Sequence, residues 1–357
     1  MIKQQGNIPG FFPIHVQIEV TWKCNWRCVH CYQDNHNLEL LDTSTLKNLF
    51  KDLAANGTMH IIITGGEPLV RKDIFELLEA INELGMGITL YSNGHKIGRD
   101  MAKRLSSLIA IAELSLLAGE AEVHDRLSGV KGSFDKTVAA INNLKENNIK
   151  VILKTPVLRP AYHTLKALEQ KANEWNIEWY PDAEISRTYS GADYPLQYHL
   201  TFNELQEYFK LFPKFNPNFG FNPDPGIKKG LCLAGRQYCF IDAMGNVYPC
   251  LNFKSACDVQ EKQGKTPIAK LGNILSNTFS DIWSSTGILN EIRNATFDNF
   301  KTCTSCKSGS GCSPCMALNY EENGELFKPS KTVCNLAKAA KHPFDPGFQP
   351  ASERLNN

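Results

Sequence analysis

The apolar positions of this chain change their period along its length, and the change divides it. Between residues 14 and 212, short β-rich runs alternate with stretches of helical period. The runs are 14–20 (IHVQIEV), 60–64 (HIIIT), 87–92 (GITLYS), 111–116 (IAELSL), 150–157 (KVILKTPV) and 177–185 (IEWYPDAEI). The helical stretches are 43–55, 72–84, 98–107, 133–147, 163–175 and 201–212. Thr43–Ser44 and Asp73 sit where helix N-caps belong, and Gly57 and Gly85 follow helix ends. Six strand-then-helix units predict an α/β fold with a parallel sheet and right-handed crossovers. Such a sheet either closes part of a barrel or stays open and doubly wound. In both, ligands bind at the C-terminal ends of the strands.

The alternation stops at 213–230 (PKFNPNFGFNPDPGIKKG), whose Pro, Gly and Asn content marks a boundary. Beyond it periodic elements are expected to be few. Residues 278–293 form the best helix candidate, and 238–249 reads as a hairpin turning at Met244-Gly245-Asn246. The chain therefore divides into an N-terminal extension (1–13), an α/β unit (14–212), a linker (213–230), a second domain (231–341) and an irregular tail (342–357).

With 357 residues, 42% of them hydrophobic and 21% charged, the composition is that of a globular protein and excludes intrinsic disorder. Lys plus Arg (38) nearly equals Asp plus Glu (37), so no charge excess points to nucleic acid or an anionic membrane. The longest apolar stretch, Leu105 to Leu117, is interrupted by Ser106, Ser107 and Glu113. It falls short of the ~18 residues of a membrane span. The N-terminus (MIKQQGNIPGFF) has no apolar signal-peptide core, so a cytoplasmic location is expected. In that compartment twelve cysteines read as metal ligands or redox groups, not as disulfides. Three lie at Cys24, Cys28 and Cys31, and the other nine fall between Cys232 and Cys334.

Cys24-x3-Cys28-x2-Cys31 follows directly on the first strand. A zinc ion would want a fourth ligand, for which His30 and His36 are near. Three cysteines in one loop suit three irons of a [4Fe–4S] cluster, leaving the fourth iron open to a ligand. Polar motifs then follow successive strands: Thr64-Gly65-Gly66-Glu67-Pro68, Tyr91-Ser92-Asn93-Gly94, and Leu114-Ser115-Leu116 with His124-Asp125. Lys154 lies on the fifth strand. In this order, the motifs resemble those of the radical S-adenosylmethionine (SAM) superfamily, and the resemblance covers roughly residues 14–212. It implies a partial (β/α)6 barrel of the radical SAM type. It also implies SAM contacts at Thr64, Gly65, Gly66, Glu67, Ser92, Asn93, Ser115 and Lys154, with His30 near the adenine.

Downstream, Cys232-x12-Gly245-x4-Cys250, Cys303-x2-Cys306-x5-Cys312-x2-Cys315 and Cys334 resemble the SPASM extension of peptide and protein maturases. The family more often has x3 where Cys312 and Cys315 are separated by x2. The resemblance implies a loop-rich, cluster-bearing domain with two auxiliary [4Fe–4S] clusters. It places Cys303, Cys306, Cys312 and Cys334 on one. Cys232, Cys250 and Cys315 belong to the other, with Cys239 as fourth ligand. Zinc ribbons are the alternative reading of the paired CxxC segments. Cys257 is left over. It is expected to be a buried or loop thiol, the sharper alternatives being a substitute cluster ligand or a hydrogen-atom donor.

The activity so implied is that of a radical SAM oxidoreductase with three [4Fe–4S] clusters. It would cleave SAM reductively to a 5′-deoxyadenosyl radical and oxidatively crosslink a ribosomally made peptide through a thioether or carbon–carbon bond. Its partners would be a precursor peptide, a flavodoxin or ferredoxin-type reductant and, since only some twenty residues precede Cys24, a separate leader-recognition protein. Peptide epimerisation and maturation of a cofactor or protein are the alternatives within the superfamily. An iron–sulfur electron-transfer or zinc protein without SAM chemistry is the alternative outside it. Sulfatase-maturating enzymes carry Asp directly after the cysteine matching Cys250; Leu251 stands there, which disfavours that activity. Glu184, Arg187 and Tyr189, beyond the sixth strand, face either substrate or surface ion pairs.

Overall fold

The computed structural model describes residues 12–215, 232–284, 287–306, 312 and 314–340. Most of the expected N-terminal extension and linker, and the tail after 341, lie outside the described residues. Strands β1 (His15–Glu19), β2 (His60–Thr64), β3 (Gly87–Ser92), β4 (Ile111–Ser115), β5 (Lys150–Pro156) and β6 (Glu178–Asp182) run parallel. The connecting helices are α1 (Thr43–Ala55), α2 (Ile74–Glu83), α3 (Arg99–Leu105), α4 (Ala121–Ser128), α5 (Ser133–Glu146) and α6 (Leu165–Glu174), with α7 (Phe202–Leu211) after β6. Spatial order follows chain order from β1 to β6. A doubly wound sheet would reverse at a switch point, so this monotonic order is the winding of a partial barrel.

Each strand carries two kinds of side chain. Val16, Ile18, Ile61, Ile63, Leu90, Leu114 and Leu153 are buried against helix residues such as Phe50, Leu77 and Leu144. The alternate positions, among them Glu19, Tyr91, Glu113 and Lys154, point to the opposite, inner face. An interior this polar is not a packed apolar core. It is a lining for polar ligands.

The second region does not stand apart from this sheet. Strand β7 (Tyr238–Ile241) pairs in parallel with the free edge of β1, matching Val16 with Cys239 and Ile18 with Ile241. The antiparallel β8 (Asn246–Tyr248) and β9 (Gly272–Asn273) extend it to nine strands. The β7–β8 hairpin turns at Met244–Gly245, where the Asp242 carboxylate accepts from the Met244 and Asn246 amides and Gly245 has φ +83°. The expected hairpin is therefore present, and it joins the barrel sheet.

The expectation of few helices beyond residue 230 is corrected. The region contains α8 (Leu251–Lys262), α9 (Phe279–Ser284), α10 (Ile288–Asn294), α11 (Lys301–Thr304), α12 (Met316–Asn323) and α13 (Lys331–Ala339). The 278–293 candidate is two short helices, α9 and α10. Helix α8 was hidden because its interior carries Ser255, Lys254 and Gln260, which are nonetheless buried. Tertiary packing overrides a weak helical pattern. Cys257 thus lies on a helix, not in a loop. At the first helix the N-cap is Asp42, which accepts from the Thr45 amide, one residue before the Thr43–Ser44 position expected. Asp73 caps α2 by position only; its carboxylate is committed to Arg71 and Thr43.

Candidate active site

The loop after β1 carries Cys24, Cys28 and Cys31 and is pinned from several directions. Its Arg27 and Val29 amides donate to the Ser128 and Leu127 carbonyls at the end of α4. Trp26 is 2% exposed and packs edge-on against buried His124, ring centroids 5.3 Å apart. The Asn93 amide group donates to Asn25 Oδ1 at 2.8 Å, tying the loop to the end of β3. At the base of the loop, Arg71 donates to the Val20 and Leu41 carbonyls at 2.6 and 2.9 Å, closing both of its ends with one guanidinium. Asp73 holds the other side of that guanidinium at 2.6 and 2.9 Å. Sequence reading missed Arg71 and Trp26. Their signal, an Arg four residues after the Gly-Gly-Glu run and a Trp between the cysteines, has meaning only once the loop closes.

Burial raises all three thiols above their ordinary range, Cys31 to about 12, and Cys28 is raised further by the neighbouring Cys31 and Cys24. Buried thiols keep their protons until a cation replaces them, which is how a metal cluster takes such a site. The glycine segment fits the same purpose. A Cβ on Gly65 would lie 2.2 Å from the Thr21 carbonyl oxygen, and one on Gly66 2.5 Å from that of Lys23, so only glycine lets β2 end against this loop. Glu67 is 1% exposed and accepts from Ser92 Oγ (2.9 Å) and the Asn93 and Leu69 amides (2.7 and 3.1 Å). Burial pushes its carboxyl up to about 7. The expected Thr64–Glu67 and Ser92–Asn93 sites are thus joined by hydrogen bonds. Ser115 and Lys154 pair in register across β4 and β5, and Lys154 Nζ lies 3.4 Å from Glu113.

The remaining cysteines fall into two electrostatic groups. The thiols of Cys303, Cys312 and Cys334 raise one another or are raised by Cys306, and all four line one small cavity with Phe297, Pro314, Ala337 and Lys338. Cys250 is raised by burial and then by Cys315 and Cys232, and Cys315, pushed up to about 12 chiefly by burial, is raised by Glu184 and then by Cys232. Among the described residues no three His, Cys, Asp or Glu side chains converge as ligands of one metal ion would. Cys239 is 0% exposed and packed in the main core; burial raises its thiol, and the neighbouring Cys250 thiol raises it further. Cys257 is also 0% exposed but packs in the second core on α8, and burial holds its thiol near 12.

Between the two cysteine regions lies a cavity of about 320 Å³. His30 and Tyr32 line it from the first loop, Lys154, Tyr180 and Asp182 from β5 and β6, and Leu251, Asn252 and Ser255 from α8. Glu184 and Tyr189 complete it, whereas Arg187 lies in the adjoining groove, paired with Asp193 (2.6 Å) and Glu321 (2.7 Å). His30 is held neutral by burial, its value lowered to about 4, and its Nδ1 has no hydrogen-bond partner. Beneath the cavity, buried Glu19 accepts from Trp22 (2.6 Å), Tyr189 (2.7 Å) and Gln33 (3.2 Å). Lys254 of α8 sits 3.8 Å above the Tyr189 ring and pairs with Asp258. This buried network joins the two regions, and no spacing in the sequence announces it.

Fold and site together define a cluster-binding α/β-barrel enzyme whose polar interior opens between two thiol-rich regions. Residues 18–162 match the radical SAM superfamily profile and residues 232–307 the SPASM iron–sulfur cluster-binding domain, so the chain carries a radical SAM domain followed by a SPASM domain. These domains imply [4Fe–4S] clusters and SAM as cofactors. The chain is 25% identical over 341 residues to an AdoMet-dependent heme synthase of Methanosarcina barkeri, covering 87% of this chain and 93% of that protein. It is 28% identical over 329 residues to the mycofactocin maturase MftC of Mycolicibacterium smegmatis, covering 86% and 79%. Among solved structures, Streptococcus suis SuiB bound to its precursor peptide SuiA shares the fold, with TM-score 0.67, 18% identity and coverage of 90% and 76%. No helix among the described residues is long and apolar enough to cross a membrane.

Proposed function

We propose that this enzyme oxidatively modifies a peptide, forming a thioether or carbon–carbon crosslink. The observation that carries the reading is the position of the cavity. One wall, His30 and Tyr32, flanks Cys31 of the first thiol loop, and another, Leu251 and Asn252, follows Cys250 of the second. When bound, a [4Fe–4S] cluster open at one iron supplies, with SAM, a carbon radical that takes a hydrogen atom from substrate. Cys24, Cys28 and Cys31 would hold that cluster; Gly65, Gly66, Glu67, Ser92 and Asn93 would hold SAM. Cys232, Cys239, Cys250 and Cys315 would hold an auxiliary cluster on the far wall, and Cys303, Cys306, Cys312 and Cys334 a third farther out. Substrate in the cavity then lies between a group that removes hydrogen and one that can accept an electron. Buried Trp22 and half-buried Tyr189, both donating to Glu19, form one side of this space.

The relatives named as heme synthases suggest a tetracarboxylate porphyrin as a second substrate class. The cavity argues against it. Its one basic side chain, Lys154, already faces Glu113, and Asp182 and Glu184 add two carboxyls where a carboxylate would need cations. A flavodoxin or ferredoxin-type protein would supply the electron, and a separate protein would recognise the leader.

The test is mass spectrometry of a candidate precursor peptide, encoded beside this gene, after anaerobic incubation with enzyme, SAM and reductant. A mass loss of two hydrogens confined to one peptide segment is expected. An unchanged mass with deuterium gained in D2O would establish epimerisation instead.

A further inference from the structure

The substrate cavity holds two carboxyl groups that form no ion pair with a basic side chain among the described residues. Asp182 and Glu184 both line it; Lys154 is close enough to favour the Asp182 anion but forms its ion pair with Glu113 instead. Asp182 accepts from the Glu184 amide at 2.9 Å, and Glu184 accepts from Asn252 at 3.0 Å. Asp182 keeps exposed surface and Glu184 is half-buried; loss of surrounding water raises both carboxyls, Glu184 to about 8 with added repulsion from Asp182 and Glu321, so a cation bound beside them is what would hold them ionised. Lys154 is the one cation in the lining, and it is taken up by Glu113 at 3.4 Å and by the Tyr180 ring at 5.0 Å. His30 is neutral.

Two further features point to a ligand. Ser255 is 5% exposed and lines the cavity; its Oγ lies near the Glu321 carboxylate but makes no well-formed hydrogen bond, which leaves its lone pairs open. Tyr32, Tyr180 and Tyr189 add three aromatic rings to the same walls. Carboxylates beside aromatic faces, with an unused hydroxyl acceptor, are the groups that hold an ammonium or guanidinium. An anionic group would meet two carboxyls of its own kind, and a purely apolar one would leave them with one amide hydrogen bond each and no cation.

We propose that this cavity takes a cationic side chain of the substrate peptide, lysine or arginine, with Asp182 and Glu184 as its counter-charges. The proposal rests on the reading that a peptide occupies the cavity. It adds the chemical class of the residue bound there.

Calorimetric titration of the anaerobically reconstituted, SAM-loaded enzyme tests it. The probes are capped Gly/Ser-rich peptides that differ only in a central Lys, norleucine or Glu. The Lys peptide is expected to bind about tenfold tighter than the norleucine peptide, and the Glu peptide weakest. In the Asp182→Asn/Glu184→Gln double variant the Lys preference should shrink to within about twofold while SAM affinity is retained. Should that variant not fold, the wild type still decides. Raising the salt should weaken the Lys peptide and leave norleucine unchanged. Equal binding of Lys and norleucine, a preference that survives the double variant, or a salt-insensitive Lys peptide each overturns the proposal. Tightest binding of the Glu peptide overturns it and leaves the peptide reading standing. Binding of a tetracarboxylate porphyrin with no peptide bound at all overturns both.

Discussion

The barrel and the region after residue 231 reach order by different routes. In the barrel, six strands and their helices bury an extensive apolar core, and the three cysteines sit on a loop fastened to that scaffold by Arg71, Trp26 and Asn93. The later region has a smaller core in which Cys250, Cys303 and Cys315 are themselves packed against Phe253, Phe300 and Tyr320. Its thiols are part of the packing. Cys24 and Cys28 also pack on apolar side chains, around Trp26 and Leu127, but their loop hangs on the barrel, whereas the later thiols sit in that region's own small core, where bound clusters would add to its order.

The largest expected effect follows from that difference. Stripping iron anaerobically should lower amide protection in α12 and α13 by about a thousandfold or more while β1 to β6 keep theirs. Hydrogen exchange read by mass spectrometry measures both regions at once, and equal loss in the two would end the contrast. The complementary variant, with Cys24, Cys28 and Cys31 changed to Ala, should lose SAM cleavage yet retain about eight of about twelve irons.

Arg71→Ala should come next. It leaves Asp73 without its partner and two buried carbonyls without a donor, a loss of about 3–5 kcal/mol. Arg71→Lys keeps the charge but not the fork and should recover part of this. Denaturant unfolding of the iron-loaded protein gives the stability, and equilibrium dialysis gives SAM affinity. A change in neither would remove Arg71 from the support of the first loop.

The two leftover cysteines sharpen the contrast on a smaller scale. Cys239→Ala should lose or convert the cluster expected with Cys232, Cys250 and Cys315, lowering iron by up to about four. Cys257→Ala should keep all its iron and lose only about 1 kcal/mol of packing. Iron analysis with electron paramagnetic resonance separates the outcomes, and iron lost from the Cys257 variant alone would exchange the two roles.

The smallest expected effect is a change of slope. The Glu67 carboxyl is raised from 4.5 to about 7 in the fold, so between those values the folded chain holds more protons than the unfolded one. Its share of stability is present below the lower value and is lost as pH rises toward the upper. Glu67→Gln should flatten that part of the stability–pH curve of the SAM-free protein. Glu19, raised to about 7, and Glu184, raised to about 8, would still contribute. A curve of unchanged slope would place the Glu67 carboxylate outside this linkage.

The strands and helices of the barrel were legible because each apolar run meets one layer of helices, and the period survives into the fold. Strands 60–64 and 87–92 and helix 43–55 match residue for residue. Helix α4 was missed because its buried positions are Val123, His124, Leu127 and Ser128, of which two are polar. Helix α8 failed for a related reason, since it buries Lys254 against Tyr189 and Asp258 instead of facing water.

Sequence alone determined the thiol spacings, the glycine that β2 needs, the alternation of strand and helix, and hence the superfamily. These are local constraints, written in neighbouring residues and readable without knowing what packs on them. Tertiary structure decided that β7 would close on β1, that Cys257 would turn into a core while Cys239 lies beside Cys250, and that Arg71 would clamp a loop beginning fifty residues earlier. It also decided that Asp182 and Glu184 would share a cavity with Ser255, about seventy residues away in sequence. Those arrangements depend on burial, and burial belongs to the assembled chain: a carboxylate or a lysine carries no mark of it until water has been excluded from its surroundings.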